Sequence, residues 1–143
     1  MTPATALIFC PALLVILTAC GGEPRGASAR WSGFNPGPTP AELHRGEIVF
    51  NTYCLSCHGL HGTGEGLGPP LLDTLYSPAR LADDAMLTAV ERGVSQRNFH
   101  FGAMPPVKRM TRTDALEVIG YVRWLQRQAG GAGSPSSTPT EVR

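Results

Sequence analysis

Cys54-Leu55-Ser56-Cys57-His58 places two thiols three positions apart and an imidazole directly after the second. Each thiol can add to one vinyl group of a porphyrin, and the adjacent imidazole can then bind the iron as its proximal ligand. The pentapeptide therefore reads as an attachment site for one covalent haem c, with Cys54 and Cys57 holding the porphyrin and His58 the iron. Such a site does redox chemistry. Two other chemistries also use a CxxC pair. A structural zinc site wants a second ligand pair at comparable spacing, and His44, His61 and His100 are scattered. A dithiol redox site expects a βαβ setting, and no Val/Ile-rich strand run is present.

The elements around the pentapeptide read as helices. Ala41 to Tyr53 carries Leu43, Gly46, Phe50 and Tyr53 on one face and delivers the chain into the haem turn. Gly59 to Gly68 holds five glycines in ten residues, which predicts a loop whose backbone lies close to the haem edge. His61 in that loop is expected to face solvent. Ser77-Pro78 has the form of a cap and first-turn proline opening a short helical turn. Asp83 or Asp84 can cap a helix through Glu91, with Met86, Leu87 and Val90 inward and Gly93 as its stop. Met86 is then a core residue and not a ligand. Thr111 to Gln128 reads as the last helix, with capping-box spacing at Thr111 and Asp114 and a staple residue in Met110. Ala115, Val118, Ile119, Val122 and Leu125 form its apolar stripe, and Gly130 and Gly131 end it. The predicted class is all-α.

This order of elements resembles the monohaem class I cytochromes c over residues 41–128. Gly46 and Phe50 are similar to the family's Gly-x-x-x-Phe, and Val118 and Tyr121 to its aliphatic–aromatic pair on the last helix. The resemblance implies a small cytochrome c fold of three to four helices wrapped around one covalent haem, with Gly46 packed on Val118 and Tyr121. Gly68-Pro69-Pro70-Leu71 resembles the family's Gly-Pro-x-Leu, which implies that the Pro69 carbonyl accepts the His58 Nδ1–H. Gly102-Ala103-Met104-Pro105-Pro106 resembles the family's Met-Pro loop and implies Met104 as the sixth iron ligand. Iron held on both sides passes electrons without binding substrate. His100 is the rival sixth ligand and would lower the potential; Met104 as a packing residue alone is a further alternative.

The N-terminus reads as an address. Ala6 to Leu17 is an apolar run of 12 residues, too short to span a bilayer and suited to a signal-peptide core. Met1 to Thr5 carries no Lys or Arg. Leu17-Thr18-Ala19-Cys20-Gly21 resembles the lipobox of bacterial lipoproteins, which implies cleavage before Cys20 and its acylation. The predicted organisation is a signal peptide at 1–19, lipidated Cys20 with a Gly/Pro linker through 40, a haem domain at 41–128 and a disordered tail at 129–143. Trp31 and Phe34 stand in the linker as possible interface or partner contacts. The four cysteines are then all assigned: Cys10 in the signal, Cys20 on lipid, Cys54 and Cys57 on haem.

Charge argues against nucleic acid as a partner, since 41–128 holds nine Arg/Lys and nine Asp/Glu. Arg92, Arg97, Lys108, Arg109 and Arg112 cluster in the second half, as a solvated face or a docking patch. A domain of about 88 residues gains a staple from a covalent haem. The expected function is a membrane-tethered electron-transfer protein, not an enzyme, in the bacterial cell envelope with its haem domain on the periplasmic or extracytoplasmic side. A quinol-oxidising complex or dehydrogenase is the expected donor, an oxidase or reductase the acceptor. A permanent cytochrome subunit of a larger complex, and an open-site haem enzyme or gas sensor, are the alternatives.

Overall fold

The computed structural model describes residues 29–96 and 100–132. A 3-10 turn at Ala41–Leu43 runs directly into helix α1, His44–Tyr53. Helix α1 buries Gly46, Val49 and Phe50. Tyr53 was expected on the same face, but it is exposed, one turn past the residues that meet the last helix. Helix α2, Leu55–His58, is a single turn in which the Cys57 and His58 N–H groups both donate to the Cys54 carbonyl, at 3.1 and 2.9 Å. This turn is the pentapeptide itself.

The glycine-rich loop folds back on α2 through its backbone. Gly64 donates to the His58 carbonyl at 2.7 Å, Gly68 to the Cys57 carbonyl at 2.5 Å, and Leu71 to the Gly62 carbonyl at 2.8 Å. One 3-10 turn, Leu60–Gly62, interrupts it. His61 departs from the solvent-facing expectation. It is half-buried, sits edge-on to Phe34 at 6.4 Å, and its Nδ1 is buried without a hydrogen-bond partner. Burial of the N-terminal aromatics, described below, covers it.

Asp73 caps a 3-10 turn at Thr74–Tyr76, and the Ser77 carbonyl then accepts from Arg80 and Leu81. Helix α3 spans Asp83–Arg92, with Met86 and Leu87 buried. Ala82, and neither aspartate, is its N-cap. The helix starts one residue earlier than a cap at Asp83 would place it, and the Asp83 carboxylate accepts from Arg123 Nε at 2.7 Å. Helix α4 spans Arg112–Ala132. Thr111 caps it as predicted: Thr111 Oγ1 accepts from the Asp114 N–H at 3.1 Å, and its hydroxyl donates to Asp114 Oδ2 at 2.7 Å. The helix runs on through Gly130 and Gly131, because Ala129 is buried in the core and packing overrides local propensity.

The core forms where α1 crosses α4. A Cβ on Gly46 would lie 2.3 Å from the Glu117 carbonyl oxygen and 2.8 Å from Tyr121 Cβ. Only glycine admits that approach, and its partners are Glu117 and Tyr121 more than Val118. Phe50 and Tyr121 follow, with ring centroids 5.6 Å apart, and Tyr121 stacks on Trp124 at 5.7 Å.

The N-terminal segment corrects the linker expectation from Ala29 onward. Trp31 is buried in the core at 8 % exposure, with Phe34 edge-on at 6.2 Å and the Arg30 guanidinium 4.9 Å from its ring. Two aromatics carry enough apolar area to dock a segment whose composition otherwise reads as a spacer. Cys20, the apolar run before it and residues 133–143 lie outside the described residues. Among the described residues there are helices and one isolated antiparallel bridge, Val94 with Met104. The all-α expectation holds.

Candidate haem site

A cavity of about 930 Å³ opens between α2, the Pro69 loop, α3, α4 and the loop of Met104. Its size is that of a cofactor pocket. Cys54, His58, Pro69 and Met104 all line it. Cys57 is half-buried in the α2 turn beside the cavity and is not among its lining residues. Val118, Ile119 and Val122 of α4 present the apolar stripe to it, and Met86 packs from α3.

His58 is buried at 8 % exposure, and its Nδ1 lies 2.9 Å from the Pro69 carbonyl oxygen. A carbonyl can only accept, so Nδ1 carries the proton and Nε2 keeps its lone pair. Burial holds the imidazole below the ordinary histidine value, with the Pro69 bond opposing. The ring is thus a neutral nitrogen donor. Cys54 and Cys57 are unbridged. Burial, and then the neighbouring Cys57, push the Cys54 thiol up to about 11, so it is protonated at neutral pH.

Met104 is held by its backbone. Val94 and Met104 exchange both hydrogen bonds, at 2.9 and 2.8 Å, and Val107 donates to the Val90 carbonyl at 2.9 Å. His100 is exposed and is not among the lining residues. Among the described residues no group of three or more His, Cys, Asp or Glu is placed to hold a metal ion by itself.

Sequence reasoning missed three residues at this site. Among the described residues, Arg80 is the one Lys, Arg, Asp or Glu side chain that lines the cavity. It follows Ser77-Pro78 in a turn, and only the fold aims that turn at the pocket. Gly93 was legible as a helix stop but not as a neighbour of Met104. Tyr76 also lines the cavity, its phenol pushed up to about 12 by burial and then by Asp73, and is a neutral hydroxyl there.

The family model for cytochrome c oxidase, cbb3-type, subunit III matches residues 41–122, from the 3-10 turn before α1 to the middle of α4. The chain belongs to that family. No curated protein matches the chain. As a member of the cbb3-type subunit III family it is a c-type cytochrome that works in electron transfer and carries a covalent haem c with iron. Its haem domain is extracytoplasmic. The residues present fit the group: an apolar cavity of adequate volume, a neutral imidazole with a free Nε2, and two unbridged thiols. Among the described residues no helix is long and apolar enough to cross a membrane.

Proposed function

We propose that this cytochrome passes single electrons between respiratory partners while tethered to the membrane through Cys20. Bound haem c supplies an iron that alternates between ferric and ferrous states. Cys54 and Cys57 would hold the porphyrin and His58 Nε2 would be the proximal ligand, its ring fixed and strengthened as a donor by the Pro69 carbonyl. Met104 would be the sixth ligand, a soft thioether that favours the reduced state. The observation that carries this assignment is that His58 and Met104 line one cavity while His100 lies outside it. Two protein ligands would leave the iron no open site for substrate. Arg80, which lines the cavity, would offer a cation to a haem carboxylate.

The test is visible absorption of the haem-loaded protein, oxidised and reduced, for wild type and Met104→Ala. The wild type is expected to show the far-red sulfur-to-iron band and the variant to lose it. A wild type without that band, or one that binds carbon monoxide readily, overturns the ligand assignment.

Arg92, Lys108 and Arg109 are exposed, while Arg112 pairs with Glu91 at 2.9 Å. Arg97 lies outside the described residues. The exposed basic residues suit docking on an acidic partner face, an attraction that salt weakens. A second reading, a permanent subunit of an oxidase complex, is favoured by the family itself. Mild detergent extraction separates the two. Co-purification with an oxidase core through high salt supports the subunit; release with salt-sensitive electron transfer supports the carrier.

A further inference from the structure

We infer that Gly93 is a positioning residue for the Met104 sulfur, acting through the backbone that holds it. Helix α3 ends at Arg92, and Gly93 turns the chain with a φ of 77° while its N–H closes the last turn on the Ala89 carbonyl at 2.9 Å. The next residue, Val94, forms the two-bond bridge with Met104. Val107 then returns to the Val90 carbonyl at 2.9 Å. The segment 104–107 is therefore sewn to the end of α3 by three backbone hydrogen bonds. Pro105 and Pro106, between the tied residues, have no N–H and offer no substitute donor.

A side chain at 93 meets this arrangement at its centre. A Cβ there would lie 2.5 Å from the Met104 carbonyl oxygen, 3.0 Å from Pro106 Cδ and 3.1 Å from Pro106 N. The obstructed carbonyl is the one that accepts the Val94 N–H. Backbone cannot swing aside as a long side chain can. Any residue larger than glycine must push the Met104 carbonyl outward, strain its bond from Val94 and shift Met104, which lines the cavity. A ligand built on a displaced support loses its geometry at once.

Gly37 provides the control for strain. Its φ is also positive, at 79°, nothing lies within 4 Å of the Cβ that alanine would add, and it is not among the residues that line the cavity. Gly93→Ala and Gly37→Ala therefore incur the same kind of backbone strain, and only the first collides with Met104. The difference between them isolates positioning from strain.

The inference rests on Met104 being the sixth ligand. Wild type, Gly93→Ala and Gly37→Ala are each matured with haem, and the far-red sulfur-to-iron band and imidazole binding to the ferric protein are measured. Wild type and Gly37→Ala are expected to keep the band. Gly93→Ala is expected to lose it and to bind imidazole at least about tenfold more tightly, while its haem stays covalently attached. A Gly93→Ala protein with the wild-type band and imidazole affinity overturns the inference and leaves the ligand assignment standing. A wild type that lacks the band overturns both. Where Gly93→Ala does not mature with haem, Val107→Pro carries the test. It deletes the second tie to α3 without adding an atom beside Met104. Tighter imidazole binding is then expected, and an unchanged affinity shows that α3 does not hold the strap.

Discussion

Arg123 is buried at 7 % exposure on α4, where a charged side chain needs a full set of partners. It donates to Asp83 at 2.7 Å, to the Tyr76 carbonyl at 2.6 Å, to Gln126 at 2.8 Å and to the Leu81 carbonyl. One side chain thus ties the segment carrying Arg80 and the start of α3 to α4. Arg80 lines the cavity that the haem would fill. A cation beside a propionate holds that carboxyl ionised to lower pH. Arg80→Gln would then raise the propionate value, and the midpoint potential is expected to begin falling with rising pH at a higher pH than in wild type. Potentiometry across the acid and neutral range reads this, and superimposable curves would remove Arg80 from the haem site. At the surface, Asp114 accepts from Arg45 at 3.1 and 2.5 Å and from Thr111, bonds that hold its carboxyl below the ordinary 3.8. A depressed folded value stabilises the fold above the ordinary value and is lost as pH falls through the depressed one. The stability gap between wild type and Asp114→Asn is therefore expected to be constant near neutrality and to close in strong acid. Denaturant midpoints at a series of pH values check it; a gap that widens in acid contradicts it.

At the scale of elements, the crossing of α1 and α4 depends on an absent side chain. Gly46→Ala places a methyl 2.3 Å from the Glu117 carbonyl oxygen, and that atom is helix backbone. The two helices must part, loosening Phe50 on Tyr121. Overpacking of this kind costs about 1–3 kcal/mol, here at the upper end because no flexible group can yield. Urea unfolding of the haem-loaded protein measures it, and a loss below about 0.5 kcal/mol would show that the crossing is slack. The Gly-x-x-x-Phe pattern at 46–50 was legible through its resemblance to the class I cytochromes c, which implied a close crossing at Gly46. The bridge between Val94 and Met104 was not. It joins residues on either side of a loop, and no periodicity in either segment announces it.

At the scale of the whole molecule, the folded body begins at least as early as Ala29. The family match begins at residue 41, so Trp31 and Phe34 are an addition outside it. If Cys20 is the lipid anchor, residues 21–28 alone separate it from the described fold. A chain of that length spans at most about 30 Å, so the haem domain stays near the membrane surface. The docking of Trp31 is testable by itself. Trp31→Ala removes a buried ring and is expected to cost about 3 kcal/mol, read as a lower thermal midpoint of the haem-loaded protein. A midpoint within a degree of wild type would return the segment to a spacer role.

The sequence by itself determined the cofactor chemistry, the all-α class and the helices around it. Those features are local: a pentapeptide with two thiols and an imidazole, a capping box, an apolar stripe at helical period. Adjacent residues carry such information together, so no other part of the chain is needed to read it. The tertiary structure decided what depends on distant segments meeting. It brought Arg80 to the cavity, set Gly93 against the Met104 carbonyl, paired Asp83 with Arg123, and buried Trp31 where composition suggested a linker. Gly93 and Met104 lie 11 positions apart and Asp83 and Arg123 lie 40 apart, and what a residue does is set by the atoms the fold places beside it.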